Sequence, residues 1–391
     1  MQKYVEINSQ ILVVARAEEF SRCGSMGGSG RHIKSVPLQR NKVSPLSWLN
    51  IGLHAPVKLR SLFGVTKNRC PKEVGLFMLG LLQDYRRTGC TRYLSEAREL
   101  GKWLLSVRCN WGEWMSYCWG GPFDVQNLVH HLPAAKPNVS TTCYVARALH
   151  ELGSLTNNPR LIKAALDSAR FVSRRLYTEL EGRSFYAIAP GELAFINNAS
   201  LCGAAWCALA GTELDDQAMI AQALTVARQS ASEQAPDGSW MYGEQYHPSV
   251  VGRYVGCNLE ALCQLRDALD TDEFDSSIER GLNYYRKNLF TDDGVAKYCN
   301  NQLYPIDMQS VAQAIVTLLK VGGGSADLKL CARVVAHAVD LLYQPGKRKF
   351  AQQKTRWFTK RTTHTCKTQA WAYFSLAFYN RYSMEIKAAA G

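Results

Sequence analysis

Three carboxylates in this sequence stand where they could act on a bound molecule. Asp124 ends the aromatic turn Trp-Gly-Gly-Pro-Phe-Asp at residues 119–124, Asp307 ends Tyr-Pro-Ile-Asp at 304–307, and Glu244 follows Asp-Gly-Ser-Trp-Met-Tyr-Gly at 237–243. Paired carboxyls do general acid and base work, and glycoside cleavage needs two of them about 5–9.5 Å apart. Sequence spacing does not set that distance. Each carboxylate also has a structural reading. Asp124 suits a turn closed on its own backbone, and Asp307 directly precedes a periodic apolar run, the place of a helix N-cap.

Side chains that could hold a substrate accompany them. Trp119, Trp240, Tyr242, Tyr298 and Tyr304 lie in the same segments, with Trp111, Trp114 and Trp357 in similar ones. Their rings suit the C–H faces of sugars, and they equally suit small loop cores. Arg253 and Arg356, with Arg348 and Arg361, offer planar donors for carboxylate or phosphate. His364, His247 and the pair His130–His131 supply groups that titrate near neutrality. Asn138 and Asn197–Asn198 stand at helix starts and read either as caps or as partners of sugar hydroxyls. The turn at 237–243 also reads as a loop stapling outer helices. With Gln234 it is similar to a Gln-Trp cyclase motif, which occurs once. No phosphate loop, GxGxxG unit, GxSxG or HExxH appears, so no cofactor and no metal are expected.

The elements that must position these groups are helices. From residue 71 apolar residues recur at helical spacing over Lys72–Tyr85, Ser95–Val107, Val139–Leu152, Arg160–Tyr177, Ala199–Ala210 and Gln217–Gln234. The pattern continues over Gly256–Leu269, Phe274–Asn288, Met308–Lys320, Ala326–Tyr343 and a final Cys366–Tyr382. This is a hairpin repeated five times plus a last helix, with first helices starting near 72, 139, 199, 256, 308 and 366. A period this long, with short turns inside hairpins and long loops between them, signals a repeat architecture. The first helices are poor in charge and rich in Ala, Cys and Leu, as crowded central helices must be, while the second helices carry the charges. The fold class expected is therefore all-α: an (α/α)6 toroid, residues 71–391, with its long loops over one face and a pocket there. Residues 1–70 read as a basic, partly flexible arm, with Ser21–Arg31 as linker.

Charge is concentrated. The net charge is +13; residues 1–70 hold eleven Lys/Arg against three Asp/Glu, and residues 346–367 hold eight Lys/Arg and no acid. Such patches favour anionic partners. Nucleic-acid binding through the basic arm and loop is a further alternative but not the expected one, and an isoprenoid cyclase lacks its DDxxD or DxDD motif here. Apolar residues make up 47% of the chain, which excludes a mostly disordered protein, and no run of about 18 apolar residues marks a membrane span. The 13 cysteines show no CxxC and no zinc spacing. Several, including Cys143, Cys202, Cys207, Cys257, Cys263 and Cys331, lie in apolar helical runs and read as buried thiols, implying a cytoplasmic location.

The junctions 119–126, 197–201, 237–243 and 304–313 together resemble the six-hairpin toroid proteins of exopolysaccharide and capsule biosynthesis loci. Those are related to six-hairpin glycosidases, unsaturated uronyl hydrolases and sugar epimerases. The resemblance covers about residues 72–382. It departs at Val-Val-Gly-Arg-Tyr-Val-Gly-Cys-Asn, residues 250–258, where many such proteins carry Asp and His. What the resemblance implies is a carbohydrate-active protein that binds and processes an oligosaccharide or acidic glycan in polysaccharide biosynthesis, beside biosynthesis enzymes. Asp124 and Asp307 would be the acid/base pair, with Glu244 in reserve. Hydrolase, lyase and epimerase chemistry all stay open. The alternative is a non-catalytic glycan-binding or assembly scaffold.

Overall fold

Each apolar run becomes a helix bounded by signals in its own ends. The computed structural model describes residues 2–23, 67–126, 131–241, 249–360 and 365–390. Helix α1 spans Gln2–Ala17, α2 Pro71–Thr88 and α3 Thr91–Ser106. Helix α4 spans Val139–Leu155, α5 Pro159–Phe171, α6 Asn197–Leu214 and α7 Gln217–Ser232. Helix α8 spans Gly252–Leu269, α9 Asp275–Asn288, α10 Met308–Thr317, α11 Ser325–Leu342 and α12 Thr365–Ala390. Proline opens α2 and α5, where its missing N–H costs nothing. Asn138, Asn158, Asp216 and Asp307 cap α4, α5, α7 and α10 by accepting from backbone N–H groups two to three residues on. Gly89 ends α2 at φ 68°, a left-handed cap that a side chain would strain.

The twelve helices form two rings. Helices α2, α4, α6, α8, α10 and α12 each pack on the next, and α12 packs back on α2 to close the circle. Helices α3, α5, α7, α9 and α11 lie outside, each against the inner helix that precedes it in sequence. The inner helices approach closely because small residues face their neighbours. A Cβ on Gly80 would lie 2.6 Å from the ring of Tyr373 on α12, and one on Gly256 would lie 2.8 Å from the Thr317 hydroxyl on α10. One continuous apolar core runs between the rings. Every outer-to-inner connection is long in sequence and leads into the N-terminal end of an inner helix. Short strand pairs brace these loops: Tyr177–Leu180 with Arg183–Tyr186, and Gln353–Lys354 between Ile306–Asp307 and Thr359–Lys360.

The sixth outer helix is α1, which places Gln2–Ala17 of the expected arm in the ring, while residues 24–66, with most of the expected linker, lie outside the described residues. Ile7, Ile11, Leu12 and Ala15 form a buried stripe against α12. Arg16 meets Glu96 of α3 at 2.5 Å. The sixth hairpin is thus made from the first and last helices. The strand pair Ser21–Cys23 with Lys67–Arg69 then leads the chain into α2. Local pattern hides this, because the partner of α1 lies more than 300 residues away in sequence. The stripe makes a measurable demand. Ile11→Ala, at a side chain with no exposed surface, should lower stability by about 2–5 kcal/mol in urea unfolding. An unchanged midpoint would show that α1 is not part of the folded ring.

Candidate functional site

The inner helices converge on a cavity of about 310 Å³ under the long loops. All six contribute: Lys72 and Glu73 from α2, Tyr144 and Arg147 from α4, Asn198 and Cys202 from α6, Arg253, Cys257 and Glu260 from α8, Gln309 from α10, and Lys367 and Trp371 from α12. The loop before α4 adds Phe123 and Lys136. These residues lie within the first three turns of their helices, so the cavity is the mouth that the repeat pattern anticipates.

Its floor is an ion network. Glu260 accepts from Arg147 at 3.1 Å, Lys320 at 2.9 Å, Gln264 at 2.9 Å and Gln313 at 3.0 Å. Burial would raise its pKa, but the charges of Lys320 and Arg147 and the hydrogen bonds of Gln313 and Lys320 overcome that and hold the carboxyl well below the usual range. Glu260 therefore stays ionised. It fixes Arg147, whose guanidinium lies 5.8 Å from the Tyr144 ring centroid. On the wall, Lys72 donates to the Ser140 hydroxyl at 2.5 Å and lies 4.4 Å from the Tyr144 ring and 5.9 Å from that of Trp371. Burial depresses its pKa.

Arg253 is the substrate-binding candidate that the structure brings into the cavity. It donates to Gln309 Oε1 and to the Tyr254 hydroxyl, both at 2.8 Å, and has no carboxylate ion pair among the described residues. Burial works against its charge, which Tyr254 and Asp307 favour electrostatically, and the balance leaves the pKa raised. Asp307 stands behind this wall. One oxygen accepts from the N–H groups of Gln309 and Ser310, the other from Gln353, so the carboxylate is a buried cap with both oxygens engaged. The backbone carbonyl of Tyr298 anchors the start of α8 by accepting from the Gly252 N–H at 3.0 Å.

The other candidates fall elsewhere. Asp124 accepts from the Ala134 N–H at 2.7 Å and tightens the loop whose Phe123 lines the cavity. Trp119 and Trp240 are buried, their indoles donating to the carbonyls of Leu104 and Ser230, so both staple helices together rather than face a ligand. Tyr304 and Arg356 are exposed and outside the cavity lining. Tyr242, Glu244 and His364, with His130, His247 and Arg361, lie outside the described residues.

Sequence reasoning missed Lys72, Glu73, Tyr144, Arg147, Glu260 and Trp371, all inside helical runs read as core. A charge in an otherwise apolar inner helix was the available signal. Two thiols read as core also face the cavity. Cys202, hydrogen-bonded with Cys143 and facing Arg147 and Lys72, titrates below its ordinary value despite burial, whereas burial pushes Cys257 up to about 12. Asn198 is not a cap, because Ile196 holds that position. Its Oδ1 is buried with no hydrogen-bond partner among the described residues, which leaves an acceptor for a ligand.

No protein-family profile matches the sequence, and no curated protein sequence does. Solved structures do match. The chain is similar to an unsaturated glucuronyl hydrolase specific for heparin (13% identity, 83% of this chain and 89% of that one, TM-score 0.60). It is also similar to cellobiose 2-epimerase from Bacillus thermoamylovorans B4167 (12%, 80% and 88%, TM-score 0.61). A third is the unsaturated glucuronyl hydrolase from Bacillus sp. GL1 (14%, 80% and 87%, TM-score 0.57). The fold shared with them is the (α/α)6 toroid. These structural neighbours are carbohydrate-processing enzymes. Among the described residues no helix is long and apolar enough to cross a membrane.

The network predicts an acid-limb signature. Below the ordinary glutamate value of 4.5 the unfolded chain takes up a proton that folded Glu260 refuses, so stability falls as pH falls through that range. Glu260→Gln should make this acid limb shallower. At pH 7 it should cost roughly 3–5 kcal/mol, because Arg147 loses its buried counter-charge. Chemical denaturation from pH 3 to 7 measures both, and an equally steep limb in the variant would remove Glu260 from the account.

Proposed function

We propose that the cavity binds and processes a short, acidic saccharide. The observation that carries this reading is the lining itself. Five cationic side chains (Lys72, Lys136, Arg147, Arg253 and Lys367) face two carboxylates, Glu73 and Glu260, beside the rings of Tyr144 and Trp371. A net positive, aromatic-walled pocket suits a sugar ring that carries a carboxylate. Arg253 is the group best placed to take that carboxylate, Asn198 a hydroxyl, and Trp371 or Tyr144 a ring face. The volume sits at the low end of the ~300–1,000 Å³ typical of small-ligand sites, so it holds a short saccharide rather than a long chain. In this reading the acid/base role expected of Asp124, with Glu244 in reserve, is exercised from the loops beside the cavity and not from its lining. Asp307 holds the Arg253 wall, and Lys72 is a further proton-transfer group with a lowered pKa. A role in polysaccharide biosynthesis in the cytoplasm, beside biosynthesis enzymes, belongs to the same proposal.

A second reading, glycan binding without turnover, draws on one observation: the oxygens of both Asp307 and Glu260 are already engaged by protein donors. Mass spectrometry separates the two. Neutral and uronate-containing oligosaccharides would be incubated with the protein in oxygen-18 water and, separately, in deuterated water. Oxygen-18 at a new reducing end marks hydrolysis, an unsaturated product marks elimination, and deuterium without cleavage marks epimerisation. Arg253→Ala should weaken binding of acidic saccharides at least tenfold and leave neutral ones nearly unchanged. Equal loss on both would sink the anionic reading. Binding without any product would establish the second one.

A further inference from the structure

The charge of the mouth is not evenly spread. Residues 343–364, the connection into α12, carry seven Lys/Arg and no acid, whereas the three connections 177–196, 233–251 and 289–307 carry nine Asp/Glu against two Lys/Arg. In the ring these three precede α6, α8 and α10, so in sequence the connection into α12 is basic and the three that precede those helices are rich in acid. The basic connection has a defined shape. Gln353–Lys354 and Thr359–Lys360 form an antiparallel hairpin. Its turn is closed by the Thr355 N–H donating to the Phe358 carbonyl at 2.8 Å, and the Thr355 hydroxyl accepts from the N–H groups of Trp357 and Phe358. Trp357 is 84% exposed and Phe358 63%, and the Arg356 guanidinium sits 5.2 Å from the Trp357 ring centroid. Lys347, Arg348, Lys354 and Arg356 have no carboxylate ion pair among the described residues.

This hairpin is tied to the cavity wall. Gln353–Lys354 pairs with Ile306–Asp307, and Asp307 caps the helix whose Gln309 holds Arg253. Lys367, two residues into α12, lines the cavity just beyond the hairpin.

We infer that the hairpin 353–360 is an outer subsite, with Trp357 as its stacking platform, for the continuation of a linear acidic glycan whose end occupies the cavity. The inference rests on the cavity reading above and extends its substrate class from a short saccharide to the end of a longer uronate-bearing chain. The cavity is too small for such a chain, so further residues must leave it over one of these connections, and electrostatics selects the basic one. The arginine beside an exposed indole is suited to a ring that carries a carboxylate. An anionic membrane is the other surface that exposed aromatics among basic residues would suit. A flat bilayer, however, would also have to meet the acid-rich connections into α6, α8 and α10, while a linear chain needs the hairpin alone.

The test is a length series: uronate oligosaccharides of two, four, six and ten residues, with affinity measured by calorimetry. Wild-type protein should bind the longest about tenfold or more tightly than the shortest. Trp357→Ala should remove most of that gain and keep affinity for the two-residue glycan within about twofold. At so exposed a position the substitution leaves the fold intact, which circular dichroism checks. Lys354→Ala should remove part of the gain, more at low salt than at high salt. A gain that survives Trp357→Ala overturns the subsite, as does binding of the short glycan with no dependence on length. Either result leaves the cavity reading standing. Failure of wild-type protein to bind any member of the series removes the cavity reading and this one together. Sedimentation with phosphatidylglycerol vesicles that depends on Trp357, without a length effect, assigns the hairpin to a membrane instead.

Discussion

Packing of α12 between α2 and α1 closes the ring, and a buried carboxylate, Asp84, holds the three helices in register there. It accepts from Asn8 of α1 at 3.2 Å, from the Tyr373 hydroxyl of α12 at 2.8 Å and from Arg87 of its own helix at 2.8 Å. A buried charge is tolerated only when its lone pairs are met, so Asp84 specifies one arrangement of three helices that apolar packing alone would allow to slide. Gly80, one turn earlier on α2, lets the Tyr373 ring approach the backbone. The central cavity exists because this closure makes six helices a circle instead of an open stack.

Inside the circle, opposite charges are sorted by role. Carboxylates are spent on position: Asp84 at the closure, Asp307 at a helix start, Glu260 on the floor. Cations are left facing the space, with Arg253 held by neutral partners and Lys72 by a hydroxyl and two rings. Neutral partners orient a guanidinium without cancelling its charge, which keeps it available to an anion. The electrostatic character of the mouth thus follows from which charges the fold has already neutralised.

The helical hairpins were legible because crowded inner helices and charged outer ones leave opposite signatures at the same period. The N-cap role of Asp307 was legible as well, since an aspartate directly before an apolar run has few other uses. The site was much less so. Trp119 and Trp240 look like ligand platforms in sequence, but a long loop must bury something, and their indole N–H groups reach backbone carbonyls. Lys72, Arg147 and Glu260 are single charges within apolar runs, and only the ring shows that all three face one space. Arg253 was visible because it stands at a junction. The role of α1 was hidden because its apolar stripe has no local counterpart: the surface that completes it belongs to α12.

That last pairing governs the order in which the toroid can be made. Helix α1 is synthesised first and α12 about 350 residues later. At translation rates of about 5–20 residues per second, the stripe of Ile7, Ile11 and Leu12 waits roughly 20–70 s for its partner. Until then two surfaces lack the cover they have in the finished fold, the stripe on α1 and the flank of α2 that α12 covers. Each would adhere to any other apolar surface it met. Completion is therefore a single late event in which one helix seals both surfaces at once and, in the same movement, turns the space between the inner helices into a binding cavity.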